Sequence, residues 1–146
     1  MKVEIYKNGQ LKSIEENGTL KSYYEDGSLK SIERLNGENL KCYENSILQA
    51  KYNLLNGKYD GECKWWHENG EIYVICNYLN GQKHGLFEWY YINGQILSRQ
   101  NWKFNKKHGI DEFWYINGQR KILQKWINDE KSGIGQRWNE NGEIYA

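Results

Sequence analysis

The sequence contains no proline and one methionine, and its three cysteines, Cys42, Cys63 and Cys76, show no CxxC spacing. An odd, unclustered set argues against a disulfide framework or a zinc ribbon. Cys63 and Cys76 are expected to face each other across a hairpin as small apolar residues in a reducing compartment. Long apolar runs are missing too. Nothing approaches the roughly 18 residues of a membrane span, and Met1-Lys2-Val3-Glu4-Ile5-Tyr6 lacks the apolar centre of a secretory leader. The expectation is a cytoplasmic protein without membrane insertion. Charge of one sign is also lacking: 20 Lys+Arg stand against 19 Asp+Glu, a net charge of +1. A bulk attraction to nucleic acid or anionic lipid therefore has no compositional support. No nucleophile elbow, phosphate loop or convergent carboxylate pair occurs, so neither an enzyme nor a cofactor is expected.

What the sequence does have is aromatics, with 7 Trp, 12 Tyr and 3 Phe, and 15 glycines that fall at regular intervals. The stretch Gly85-Leu86-Phe87-Glu88-Trp89-Tyr90-Tyr91-Ile92-Asn93-Gly94-Gln95-Ile96 sets the rule. Twenty-four residues earlier stand Gly61, Trp65-Trp66 and Asn69-Gly70; 24 later stand Gly109, Phe113-Trp114 and Asn117-Gly118, then Gly133, Trp138 and Asn141-Gly142. A fixed period of this length marks a repeat array whose units bury apolar surface against their neighbours.

Before residue 51 the punctuation is faster. Asn8-Gly9, Asn17-Gly18, Asp26-Gly27, Asn36-Gly37 and Asn45-Ser46 recur every nine or ten residues around a Leu-Lys-Ser phrase. Asn-Gly between alternating runs predicts β-hairpins closed by type I′ turns. The whole chain, 1–146, then reads as one continuous array: short hairpin repeats over 1–50 and four 24-residue repeats over 51–146. The expected fold is all-β, an elongated antiparallel meander of hairpins forming an open, twisted, single-layer sheet. From Lys51 onward longer connections such as Asn80-Gly81-Gln82-Lys83-His84-Gly85 alternate with the short turns.

Pairing across the short turns sets Trp65 opposite Val74, Trp66 opposite Tyr73, Trp89 opposite Ser98, Tyr90 opposite Leu97, Glu88 opposite Arg99, Phe113 opposite Ile122 and Trp114 opposite Lys121. Two aromatic ladders follow. Trp65, Trp89 and Phe113 share one face; Trp66, Tyr90, Trp114 and Trp138 share the other. Side-chain alternation leaves open which face is core. The second ladder is the candidate partner-binding surface, with Lys83, His84, Lys107 and His108 nearby. His84 and His108 stand one repeat apart, about 10 Å, too far to share a zinc ion whose ligands sit at about 2 Å, so no metal is expected. His67 fills a slot that holds tyrosine in other units.

The unit from Tyr78 to Ile96, with its Asn80-Gly81-Gln82-Lys83-His84-Gly85 connection, aromatic strand and Asn93-Gly94 turn, resembles the bacterial MORN-repeat variant. The resemblance extends over Lys51 to Ala146 and weakens before Lys51. It is also similar to the YwqK-type antitoxins and immunity proteins, which implies a non-catalytic protein that neutralises a partner toxin by binding it. Two other functions suit the same surface: a structural scaffold self-associating through sheet edges, giving a homo-oligomer, and a glycan-binding module stacking sugars on the aromatic ladder.

Overall fold

The computed structural model describes residues 1–146 and contains sixteen strands and no helix. The first five are β1 (Lys2–Ile5), β2 (Leu11–Glu16), β3 (Thr19–Tyr23), β4 (Leu29–Arg34) and β5 (Gly37–Cys42). Then come β6 (Leu48–Leu55), β7 (Lys58–Tyr59), β8 (Gly61–Trp66), β9 (Ile72–Leu79), β10 (Gln82–Lys83) and β11 (Gly85–Tyr90). The last are β12 (Ile96–Lys103), β13 (Lys106–Lys107), β14 (Gly109–Trp114), β15 (Arg120–Ile127) and β16 (Glu130–Arg137). They form one open antiparallel sheet in sequence order. The two-residue strands β7, β10 and β13 pair with the ends of β6, β9 and β12 and lead straight into β8, β11 and β14. The expected meander is present, including the faster N-terminal hairpins.

Apart from Asn36-Gly37, where only the glycine has positive φ and its N–H closes no turn, the Asn-Gly turns are of two kinds, and here the structure departs from the sequence reading. At Asn17-Gly18, Asn56-Gly57 and Asn80-Gly81 both residues have positive φ, as a two-residue type I′ turn requires, and Phe104-Asn105 and Asn128-Asp129 do the same without glycine. At Asn8-Gly9, Asn69-Gly70, Asn93-Gly94 and Asn117-Gly118 only the glycine does. There the glycine N–H donates to a carbonyl three residues back, as Gly94 does to Tyr91 at 2.9 Å, which is a type I turn closed by a left-handed glycine. That turn puts one extra residue into the returning strand, so Trp66 pairs with Ile72, Tyr90 with Ile96 and Trp114 with Arg120, not with Tyr73, Leu97 and Lys121. The pairs further from the turn, Trp65 with Val74, Glu88 with Arg99 and Phe113 with Ile122, stand as expected.

The two turn kinds occupy opposite edges of the ribbon, and each edge is stapled from unit to unit. On the type I′ edge, backbone N–H groups of one turn donate to the preceding unit: Gly81 to Tyr59 O at 2.7 Å, Asn105 to Lys83 O at 2.9 Å and Asp129 to Lys107 O at 3.0 Å. On the other edge asparagine acts twice. The Asn69 Oδ1 accepts the Glu71 N–H at 3.0 Å, while its Nδ2 donates to the Ile92 carbonyl of the next turn at 3.2 Å; Asn45 and Asn117 repeat this with Glu68 and Glu140. Aspartate cannot donate, and Asp26 accepts from Ser28 without reaching the following turn. Tyrosine hydroxyls add a second staple: Tyr43 to Trp66 O, Tyr91 to Trp114 O and Tyr115 to Trp138 O, at 2.8 to 3.0 Å.

All ten buried residues lie on one face of the sheet, from Ser31 in β4 to Asp111 in β14. A flat single layer cannot bury a side chain to 0 % exposure, as Cys63 is, so the sheet curls about this face. Ala50, Tyr52, Cys63, Val74, Cys76 and Phe87 form the core, with Trp65, Trp89 and Trp102 packed against it. Cys63 and Cys76 pair directly and are free thiols; the hydrogen bond to Cys63 and then burial push the Cys76 thiol well above its ordinary range. At the bulges ahead of β8, β11 and β14 glycine is required. Gly109 has φ +118°, and a Cβ there would stand 2.9 Å from Cβ of Asn101, whose Nδ2 bonds the Ile110 carbonyl at 2.8 Å.

Burial raises the phenols of Tyr52, Tyr59 and Tyr78 beside this core above the ordinary tyrosine value. Raised phenols favour the neutral form in the fold, whereas the unfolded chain ionises near pH 10. Their contribution is therefore complete below about pH 10 and is lost as pH climbs toward the folded values. Urea midpoints should be level between about pH 8 and 9 and fall by about pH 11; a midpoint unchanged there would show that these rings are not enclosed.

Candidate protein-binding surface

On the outer face, opposite the core, a row runs through Lys51, Lys64, Ile75, Glu88, Arg99 and Glu112 by direct pairing. The candidate ladder Trp66, Tyr90, Trp114 and Trp138 lies beside it, every member half-buried. Strand alternation places these rings away from the core, so the fold does not use them as its centre.

The ladder is tied to the charged row by a repeated device. Arg99 donates from Nε to Oε1 of Glu88 at 2.7 Å, and its guanidinium carbon lies 5.8 Å from the Trp114 ring centroid. One unit on, Arg120 donates to Glu112 at 2.9 Å and lies 5.7 Å from the Trp138 ring. Glu88 and Glu112 are 14 % and 17 % exposed, the arginines 43 % and 46 %, so half-buried carboxylates hold more exposed guanidinium groups in place. The Tyr90 hydroxyl donates to the other Glu88 oxygen at 3.0 Å. Burial first, then this bond, holds the Tyr90 phenol above its usual range, which keeps it a donor. Aromatic faces and fixed arginines are what a desolvated protein interface uses as anchors.

The four loop residues are elsewhere. Lys83 and Lys107 project from the inner face at the type I′ edge, with Nζ 4.4 Å from the Trp102 ring and 4.8 Å from the Trp126 ring. His84 and His108 are the bulge residues before β11 and β14, their backbone N–H groups donating to Asn77 O and Asn101 O at 3.0 and 2.9 Å. His84 packs on Phe104 at 4.7 Å, and Nδ1 of His108 is 3.3 Å from Asn128 Oδ1. The structure thus brings the four ladder rings onto one face and sets the lysines on the other. Arg99 and Arg120 complete the ladder, though only the Glu88–Arg99 pairing was legible beforehand. Trp102 and Trp126 share the 24-residue register with Tyr78 and were findable from it.

His67 occupies the tyrosine slot as expected, 4.9 Å from Tyr73, but its Nε2 is buried without a partner. The phenols of Tyr43, Tyr91 and Tyr115 each reach the carbonyl 23 residues ahead; the imidazole makes no such bond. His67→Tyr is expected to restore the missing staple and stabilise the protein by about 1 kcal/mol in urea unfolding. A loss of stability would show that the slot at this unit is shaped for imidazole.

No curated protein shows significant sequence similarity to this chain. The family model described as MORN repeat variant matches residues 16–34, 59–80 and 83–104. The first segment lies in the faster N-terminal block, so the family pattern reaches further back than the Lys51 limit read from the sequence. Beyond residue 104 the matched architecture continues, with β13 and β14 repeating β10 and β11 and β15 pairing with β14 as β12 does with β11. Repeats of this kind are interaction modules for proteins or membranes. Three segments of this chain, all inside one continuous sheet of like hairpins, are thus similar to the MORN repeat variant.

Proposed function

We propose that this protein is a non-catalytic, cytoplasmic binding module of the antitoxin or immunity kind, which neutralises a protein toxin by covering it. The observation that carries the reading is the outer-face ladder: four aromatic rings the core does not use, two of them set against arginines that half-buried carboxylates hold in position. Preorganised rings and guanidinium groups reduce the ordering cost of association. Those guanidinium groups also occupy the faces of Trp114 and Trp138 that sugar stacking would need, which favours a protein partner over a glycan.

Co-expression with the products of neighbouring genes, followed by pull-down and a growth-rescue assay, tests the proposal. A stable complex that restores growth is the expected result; absence of any complex, with toxicity unrelieved, would reject it. A second reading, self-association as a scaffold, is favoured by the exposed row Leu35, Leu55, Leu79, Phe104 and Ile127 along the type I′ edge. It requires a mass that rises with concentration.

A further inference from the structure

The inner face changes character along its length. Its middle row is apolar through Cys63, Cys76 and Phe87, then continues on the same face as Gln100, paired with Phe87, and Asp111, paired with Gln124. Asp111 is 1 % exposed; its Oδ2 accepts from Lys107 Nζ at 2.8 Å, and its Oδ1 is buried with no partner. Beside this floor runs the row Lys83, Trp102, Lys107, Trp126 and Lys131, alternating cation and indole. Lys83 sits 4.4 Å from the Trp102 centroid, and Lys107 and Lys131 sit 4.8 and 5.8 Å from that of Trp126. Both indole Nε1 atoms are buried without acceptors. Three of the chain's five unpartnered buried side-chain atoms thus belong to one strip of one face. A cleft of about 260 Å³ opens there between Asp111, Phe113, Trp126, Lys131 and Arg137.

Buried donors and acceptors left unpaired are costly, so a cluster of them marks a place that a ligand's polar groups would complete. Two N–H donors and one carboxylate acceptor, side by side, suit the alternating C=O and N–H of an extended peptide. The side-chain charges are Lys83, Lys107, Lys131 and Arg137 against Asp111 alone, which calls for an anionic partner. The ammonium groups lie over the indole faces, where a sugar ring or a nucleobase would have to stack, and a cation–π contact holds them only weakly. A carboxylate can draw such a lysine away and uncover the indole N–H beneath it.

We propose that the inner face from β12 to β16, with Lys83 of β10 at its margin, is a second binding surface, taking an extended acidic segment of a protein partner. Its carboxylates pair with Lys83, Lys131 and Arg137, and its backbone pairs with Trp102 Nε1, Trp126 Nε1 and Asp111 Oδ1. This rests on the reading of the chain as a protein-binding module but uses the face opposite the Trp114 ladder. The test is fluorescence anisotropy on the full chain at low salt with labelled (Glu-Ala)5, its (Gln-Ala)5 counterpart and a dT10 oligonucleotide. Saturable binding of the acidic peptide alone is expected. It should weaken at least tenfold in Lys83→Gln/Lys131→Gln, a pair that leaves the Lys107–Asp111 bridge intact, and stay unchanged in Trp114→Ala. Arg137→Gln, at the far end of the cleft, should weaken it as well. Equal binding of the glutamine peptide, binding of dT10 as tight as that of the acidic peptide, or indifference to these substitutions would overturn the proposal. Loss of toxin capture in Trp114→Ala with peptide binding intact separates the two surfaces.

Discussion

Phe87→Ala is expected to cost about 3–5 kcal/mol and to lower the urea midpoint more than any other single truncation in the chain. The ring is 2 % exposed at the centre of the inner face, with Tyr78, Trp89 and Trp102 centroids at 5.5, 5.7 and 6.0 Å. A single-layer sheet has no second layer to collapse into the void, so the cavity term is added to the lost transfer energy. Domains of this size have about 5–15 kcal/mol in total, so one truncation would remove a large share of the stability. Ile92→Ala, 62 % exposed at a turn, should change stability by less than about 0.5 kcal/mol. A cost for Phe87→Ala below about 1 kcal/mol would mean that the inner face is not what holds the sheet together.

The largest functional effect is expected at Trp114. Its ring carries the Arg99 guanidinium, and its carbonyl accepts the Tyr91 hydroxyl at 2.9 Å, a bond that side-chain truncation leaves in place. Trp114→Ala should therefore keep the fold while weakening the complex recovered by co-expression by about 2 kcal/mol or more, roughly 30-fold in Kd. Calorimetric titration reads the affinity, and urea unfolding of the same sample confirms the fold. Unchanged affinity would move the contact surface off the outer face. Tyr90→Ala is the less clean variant, because it also takes a partner from the half-buried Glu88.

Much of this was legible in the sequence. The 24-residue spacing gave the hairpins, and strand alternation separated the Trp65, Trp89, Phe113 set from the Trp66, Tyr90, Trp114, Trp138 set. Asn-Gly, however, suits both a type I′ turn and a type I turn with a left-handed glycine, and the two differ by one residue of register. The error fell only on pairs next to the turn, at Trp66, Tyr90 and Trp114. The buried face was readable in principle, since Ala50, Cys63, Val74 and Cys76 are small and apolar where Lys51, Lys64, Glu88 and Arg99 on the other face are charged. Aromatics on both faces masked that contrast. The side on which Lys83 and Lys107 emerge was not readable, because the bulge residues His84 and His108 reset the alternation that places them.

The stapled edges have a mechanical meaning. A ribbon one layer thick resists bending mainly where its successive turns are tied, and its stiffness is then a property of the margins. At His67 one margin loses its tyrosine tie and keeps only the Asn69 amide, while the opposite margin stays fully tied. The ribbon is thus held by a single tie on that margin, as it is one unit later, where the Asn93 amide turns to Gln95 and only the Tyr91 hydroxyl reaches across, so bending there opens one margin before the other.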